Sequence, residues 1–542
     1  MLIAFINQKS KFILFAFFVS AFLIICKTFQ DYGVTWDEQY HQIYGNIIIE
    51  WYLSFFKDTV AIHHYFLIFY GGFFDAVVQL LSYACPWDTI ESRHFLGGVF
   101  GLWAIYMSFK IARHIAGDLA GFFSALFLIL HPVFYGHMFN NPVDIPFAAL
   151  LLTTIYFIVS SYDDLPRIPL KHLFKIGVAL GLTLAIRIGG ILIILPYIMA
   201  CWLLWFGSQG SQNREMTVTR TQQILRNLIR NLAWIFAIAW PVMLLWWPWA
   251  QINPLIHTFN AIFQTAKWDF NPTDLSVFFE GKYYEILKVP KSYLLKLILV
   301  TSPEFFLVVL GLGGVLSALY LAKHPKPTAK AAKIIFLIFA FVYPVLGAIV
   351  FNAPQFDGYR HFLFLIPLLA ILGGISFAAW IRSKVVGGIK ILVIFAVISS
   401  LFLTALDMRR LHPYQTVYFN RLLAGGLARA AKNYETDYWG NSYREGILWV
   451  IKNYHPSMNR KIRVLNASWP FQTGYYLEKT PELQSRFEMV ETNPDIFLST
   501  TRRDCHKAFQ GKILYKVERD NTPLLYVIEV PENTPATFIS TC

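Results

Sequence analysis

What most constrains this chain is the recurrence, through its first 406 residues, of apolar runs long enough to cross a lipid bilayer. A spanning helix needs about 17 to 25 such residues, because lipid offers no partner to backbone polar groups and the segment must satisfy them itself. Runs of this kind fall at 11–26, 92–111, 119–137, 143–160, 172–187, 189–206, 232–250, 296–321, 334–351, 361–380 and 389–406, which predicts about eleven transmembrane helices. Composition agrees: of 542 residues, 56% are hydrophobic and only 15% are charged, outside the balance of a soluble domain. The first run lacks a small residue at the position preceding a cleavage site and reads as a span rather than a removed signal.

The net charge of +13 would suggest nucleic acid in a soluble protein. Here the basic residues sit in the short gaps between apolar runs: Lys9 and Lys11; Lys110 and Arg113; Arg167, Lys171 and Lys175; Arg214, Arg220, Arg226 and Arg230; Lys323, Lys326, Lys330 and Lys333; and Arg382, Lys384 and Lys390. One orientation, with the N-terminus in the cytoplasm, puts all of them on the inner side, as the positive-inside rule requires. Topology accounts for the charge, and no nucleic-acid partner is expected. An odd number of spans sends residues 407–542 to the outer side, where they suffice for a folded domain. Helical spacing over 441–454 and strand-forming segments at 461–465, 513–517 and 524–530 make it α+β. The expected fold is therefore an all-α polytopic membrane domain, residues 1–406, followed by a C-terminal soluble α+β domain.

Polar residues within such a chain are costly, and their placement is informative. The long first outer loop, 27–91, opens with Asp31-Tyr-Gly-Val-Thr-Trp-Asp-Glu38. Adjacent Asp37 and Glu38 can serve as a base, a cation site or an acceptor contact, or simply as a solvated acidic start to the loop. On the same predicted side, Asp144 begins an apolar helix, where it either caps the helix or faces a polar cavity. Arg187, in Ala185-Ile-Arg-Ile-Gly-Gly190, and Arg360, in Gln355-Phe-Asp-Gly-Tyr-Arg-His361, lie at the ends of apolar stretches on that side too. A guanidinium suits phosphate oxygens, and it also serves as an interfacial anchor or a partner for a carboxylate. The functional reading gains from convergence: two carboxylate sites and two arginines reach one face from four places in the chain.

Together these residues resemble the multispanning glycosyltransferases of the GT-C class, specifically the protein mannosyltransferase and aminoarabinose transferase-like group. The resemblance rests on Trp36-Asp37-Glu38, Arg93-His94, Asn140-Asn-Pro-Val-Asp-Ile-Pro146, Arg187-Ile-Gly-Gly190, Tyr359-Arg-His-Phe-Leu-Phe364, and His412-Pro-Tyr-Gln-Thr-Val-Tyr-Phe-Asn420 leading into Glu435-Thr-Asp-Tyr-Trp-Gly440. It implies inverting transfer of a sugar from a polyprenyl-phosphate donor to a hydroxyl-bearing acceptor, whether protein, lipid or glycan. Asp37 would be the general base. Glu38 and Asp144 would be further acidic positions, orienting the acceptor or binding a divalent cation, and Arg187 and Arg360 would hold the donor phosphate. The site would lie on the non-cytoplasmic face, and the compact soluble tail points to a bacterial inner membrane. No β-trefoil insertion of the eukaryotic protein O-mannosyltransferases is evident.

His63, His64 and His361 are candidate ligands for the acceptor or a metal, although loop histidines without a paired ligand are usually neither. The loop 251–291, with Trp268, Tyr283, Tyr284 and Tyr293, would make an aromatic cover or an interfacial belt. Asp437, Tyr438 and Trp439 would form a sugar platform or a packing contact. Cys26, Cys85, Cys201, Cys505 and Cys542 have no zinc-site spacing, and a Cys505–Cys542 disulfide is permitted in an oxidising compartment. The main rival reading is a transporter or flippase of lipid-linked sugars. Such proteins commonly carry internal repeats and midplane charges, and neither is evident here.

Overall fold

The computed structural model describes residues 2–536 except 166, 208–213, 268–275, 324–328, 384–386, 458–459 and 533. Up to residue 244 the described residues form ten α-helices: α1 (Leu2–Thr28), α2 (Glu38–Leu53), α3 (Phe73–Ala84), α4 (Thr89–Ala116), α5 (Asp118–Ile129), α6 (Pro132–Asn140), α7 (Asp144–Ser161), α8 (Leu170–Leu184), α9 (Ile194–Gly207) and α10 (Arg214–Leu244). Further long helices at Glu304–Lys323, Ala329–Val350, Leu365–Arg382 and Gly387–Leu411 complete the membrane part. Helix α4 lies at its centre, packed on α5, α6, α7 and Leu365–Arg382.

The count of eleven spans is not reached. Among the described residues seven helices are long and apolar enough to cross a membrane, or nine if two bent pairs each make one span. One pair is α5 and α6, bent by 67° ahead of Pro132, whose ring cannot continue a preceding helix; the other, Tyr293–Thr301 and Glu304–Val315, bends by 117° at Ser302-Pro303. The runs at 172–187 and 189–206 become α8, of 15 residues, and α9, of 14. At 1.5 Å per residue α8 alone is shorter than a hydrocarbon core of about 30 Å, whereas α9 runs on from a 3₁₀ segment and borders residues outside the described ones. Between them the chain leaves the α-helix for an extended residue, Arg187, and a 3₁₀ segment, Ile188–Ile193.

The first loop is itself largely helical. Helices α2 and α3 pack on each other and return the chain to α4, and α3 buries Phe74, Ala76 and Val78 while exposing Leu80 and Tyr83. In the loop 251–291 a hairpin forms from β1 (Ser276–Phe279) and β2 (Lys282–Glu285), turning through Glu280 and Gly281 in the left-handed region. Phe279 bridges to Tyr434, so this loop joins the C-terminal part. Tyr293 is buried and Tyr283 half-exposed; Trp268 lies outside the described residues.

After Leu411 a mixed sheet is built from β3 (Ile462–Asn466), β4 (Phe487–Met489), β5 (Ile496–Thr500), β6 (Lys512–Arg519) and β7 (Thr522–Glu529), in the order β4-β3-β5-β7-β6. β3 runs parallel to β4 and β5, whereas β5–β7 and β6–β7 are antiparallel. Helix Tyr443–Asn453 packs on β5, β6 and β7. The expected helix and three strands are present. β4 and β5 were not anticipated, β4 because it has only three residues.

Candidate active site

The segment 31–38 runs between the membrane helices and the sheet domain, and nearly every residue of it is tethered. Asp31 pairs with His412 at 2.9 Å, and the Tyr32 hydroxyl donates to Gln415 Oε1 at 3.1 Å while its ring stacks on Phe139 at 4.0 Å. The Gly33 N–H donates to Asn441 Oδ1, and a Cβ at Gly33 would stand 2.1 Å from the Asn441 carbonyl oxygen, so only glycine fits. The Val34 N–H donates to the Tyr476 hydroxyl, and Gln472 Nε2 donates to the Val34 carbonyl. Thr35 Oγ1 bonds the Asn140 carbonyl at 3.1 Å.

These tethers separate the fates of the two acidic residues that follow. Glu38 is fully buried: Oε2 accepts from the Thr35 N–H at 2.7 Å, and Oε1 meets His94 Nε2 at 2.9 Å. Asp37, preceding α2, instead faces Arg360, with Nη1 3.1 Å from Oδ2. Burial raises the Asp37 carboxyl above its usual range, and the Arg360 charge opposes that rise.

Arg360 is the hub. Besides Asp37 it faces Asp144 Oδ2 at 3.9 Å through Nη1 and Asp357 Oδ2 at 3.4 Å through Nη2, and its guanidinium lies 4.6 Å over the Trp439 ring. Asp357 and Gly358 adopt left-handed backbone conformations ahead of the 3₁₀ turn Arg360–Phe362. That tight reversal folds the carboxylate of Asp357 back onto Arg360. Asp144 is the second node: Arg187 Nη2 lies 2.7 Å from Oδ1, and Asn141 Nδ2 donates to Oδ2 at 2.9 Å. Arg187 is fixed from the other side, because the Phe73 N–H bonds the Ala185 carbonyl at 3.1 Å and the guanidinium lies over Tyr70. Asp37, Asp144, Arg187 and Arg360, from four separate segments, thus form one continuous ion network.

His361 adjoins this network, edge-on to Phe356 at 4.8 Å; burial, and then the Arg360 and Arg187 charges, hold it well below its usual value and so neutral at pH 7. His63 is exposed at the end of a 3₁₀ turn, and His64 lies parallel to Tyr44. Among the described residues no group of three or more His, Cys, Asp or Glu is placed to hold a metal ion. The donor set does not fit a divalent cation either, since the charges of Asp37 and Asp144 are already met by guanidinium groups.

Several residues around the site carried no separate signal in the sequence. Asp75 binds both His41, at 2.8 Å, and Arg93, at 2.5 Å. Burial alone would raise its carboxyl, but the two partners hold it below the usual range. Asp357 also binds Arg502 of the sheet domain at 2.8 Å, and Arg502 meets Glu435 at 3.3 Å. Asp437, which the sequence did single out with Tyr438 and Trp439, accepts from the Asn441 and Ser442 N–H groups and so shapes the turn behind Trp439. Two openings adjoin the network. A cavity of about 460 Å³ is lined by Arg360, Tyr293, Tyr359, Phe419 and Tyr438; a cleft of about 720 Å³ is lined by Trp36, Tyr438, Tyr443, Trp469, Arg502 and Arg503.

The helical membrane part and the appended sheet domain have a GT-C type fold, with the carboxylate–arginine network at the end of the helices. Within that class, residues 87–244 match the model of the Dolichyl-phosphate-mannose-protein mannosyltransferase family, in line with the resemblance read from the motifs. The fold is similar to the archaeal oligosaccharyltransferase AglB from Archaeoglobus fulgidus, in complex with an inhibitory peptide and a dolichol-phosphate. That match has a TM-score of 0.50 at 11% identity and covers 91% of this chain and 70% of that one. Against the apo form of the same organism's oligosaccharyltransferase the TM-score is 0.49 at 11% identity, with 87% of this chain covered; this chain spans 64% of the length of that one. ArnT from Cupriavidus metallidurans, in the apo state, matches at a TM-score of 0.44 and 14% identity over 96% of this chain and 98% of that one. No curated protein sequence matches.

Proposed function

We propose that this chain transfers a sugar from a polyprenyl-phosphate donor to a hydroxyl-bearing acceptor on the non-cytoplasmic face of a membrane, with inversion at the anomeric carbon. The observation that carries the reading is the Asp37–Arg360–Asp144–Arg187 network, in which a partly desolvated carboxylate stands beside two arginines whose guanidinium groups suit a phosphate. The donor phosphate takes the guanidinium of Arg187, and of Arg360, from the carboxylates that hold them now. Asp37 then loses its counter-charge and becomes the stronger base just when donor is present. It accepts the proton of the acceptor hydroxyl as that oxygen bonds to the anomeric carbon. The bond to the phosphate oxygen breaks on the opposite face, and polyprenyl phosphate leaves with its new negative charge on the arginines. A phosphate leaving group needs no second carboxylic acid to protonate it, unlike a glycosidase leaving group.

Glu38, enclosed between Thr35 and His94, serves to position Asp37. His361, neutral, serves the acceptor side. The acceptor enters by the cleft that Trp36 lines next to the base, where the indoles of Trp36 and Trp469 offer flat faces to a sugar ring or an aromatic side chain. Mannosyl phosphate lipids are the first donors to test. The inner membrane of a bacterium is the setting that the compact soluble tail favours, and the basic-residue pattern would put the sheet domain on its periplasmic side.

The test is consumption of radiolabelled polyprenyl-phosphate sugars by purified protein in lipid, offered protein, lipid and glycan acceptors. Asp37→Asn is expected to lower turnover by about 10²- to 10⁴-fold with donor binding retained, and Arg187→Met to weaken donor binding. Wild-type protein that consumes no donor with any acceptor class, or Asp37→Asn turning over normally, would sink the reading.

A further inference from the structure

Arg502 lies in the sheet domain, at the start of the turn after β5, yet its guanidinium reaches a fully buried carboxylate of the membrane part: Nη2 stands 2.8 Å from Asp357 Oδ1. Two contacts fix it on its own side, Nη1 donating to the Tyr438 carbonyl at 2.9 Å and Nε facing Glu435 at 3.3 Å. The other oxygen of Asp357 faces Arg360, and Arg360 faces Asp37. Arg502, Asp357, Arg360 and Asp37 therefore form a line of alternating charge from one domain to the other, with separations of 2.8, 3.4 and 3.1 Å. Asp357 divides its charge between two arginines. What Arg502 takes from it, Arg360 is free to give to Asp37.

We propose that Arg502 is a positioning residue which, through Asp357, sets how firmly Arg360 holds Asp37, so that seating of the sheet domain adjusts the proton affinity of the membrane domain's carboxylate. The proposal takes the role of Asp37 from the reading above, but the coupling itself is a property of the ion network. Around Asp37 stand Arg360 and Asp357 from the segment before helix Leu365–Arg382, Asp144 from α7 with Arg187 beyond it, and His41 on α2. Without Arg502, Asp357 leans more heavily on Arg360, with Arg503 the other cation whose charge reaches it, and draws Arg360 from Asp37, whose affinity for a proton rises. Without the Asp357 charge, Arg360 turns wholly to Asp37 and Asp144, and that affinity falls.

The test follows protonation of Asp37 by its carboxylic acid infrared band, as the difference between each protein and the same protein carrying Asp37→Asn, in full-length chain reconstituted in lipid. Arg502→Met is expected to raise the proton affinity about tenfold, and Asp357→Asn to lower it by a similar factor. In the double variant the relay predicts the Asp357→Asn value, because Arg502 then has no carboxylate through which to act. A midpoint unchanged in Arg502→Met, or a double variant equal to the sum of the two single shifts, overturns the proposal. Arg502→Lys, keeping the charge without the fork, is expected to recover part of the Arg502→Met shift. The measurement needs no turnover, so it stands apart from the transfer assay. Should wild type consume no donor while the three midpoints behave as described, the reaction is misassigned and the relay holds.

Discussion

At the residue scale the decisive contrast is between two neighbouring carboxylates. Asp37 contacts one guanidinium at the edge of open space, whereas Glu38 is buried with both oxygens engaged. Asp37 acts only when ionised, and burial raises its carboxyl; kcat/KM is therefore expected to climb with pH through a midpoint above the ordinary aspartate value. A profile flat down to pH 4 would argue against it. Glu38→Gln is expected to act through stability, since a buried hydrogen-bond partner left unmatched costs about 1–3 kcal/mol. Thermal unfolding in detergent should show a clear loss, while the protein that remains folded keeps most of its turnover; the reverse pattern would make Glu38 a catalytic group. Adjacency in sequence pointed to both acids alike, because only the tethers of residues 31–35 to distant residues decide which one faces the arginines. Arg187, Arg360 and Asp144 were legible as polar residues at the ends of apolar runs. Asp357 was hidden inside the motif that supplied Arg360, and Arg502 sits in an ordinary charged stretch whose importance comes from docking alone.

At the element scale the informative feature is the break between α8 and α9. Apolar content alone made two spans of this stretch, but Arg187 and the glycines behind it interrupt the helix where the ion network needs an extended residue. The break is braced by Gly71, where a Cβ would stand 2.3 Å from the Ala185 backbone. Gly71→Val is expected to push the Ala185–Arg187 corner aside and raise the KM for donor severalfold to tenfold, with the melting of the sheet domain unchanged. A normal KM in that variant would mean the corner is not what holds Arg187. The short β4 and the β1–β2 hairpin were not legible for a related reason: three- and four-residue strands carry too little alternation to stand out from a loop.

At the scale of the whole molecule, charge distribution and fold make separate statements that can be checked against each other. Under the orientation proposed from the basic loops, the N-terminus and the C-terminal domain lie on opposite sides of the membrane. In a background with Cys26, Cys85 and Cys201 replaced by serine, a cysteine introduced at exposed Ser485 is expected to react with a membrane-impermeant thiol reagent in intact cells. One introduced at exposed Lys171 should react only after permeabilisation. Labelling of both from the same side would overturn the orientation. Asp495, held down to about 2 by Arg460 and Arg463 against the effect of its burial, bears on the sheet domain alone. Its contribution to stability is present above the usual carboxylate range and is lost as pH falls toward 2.

The tethers of residues 31–35 also bear on how such a protein comes into being. Val34 and Tyr476 are 442 positions apart, and Gly33 and Asn441 are 408 apart, so the strand of chain carrying the acid is made among the first residues while its anchors are made among the last. During synthesis every helix of the bundle emerges before Asn441 does. A ribosome stalled between the end of helix Gly387–Leu411 and Asn441 leaves a chain with its bundle complete and its acid unanchored. Seating of the acid thus waits on the last fifth of the polypeptide.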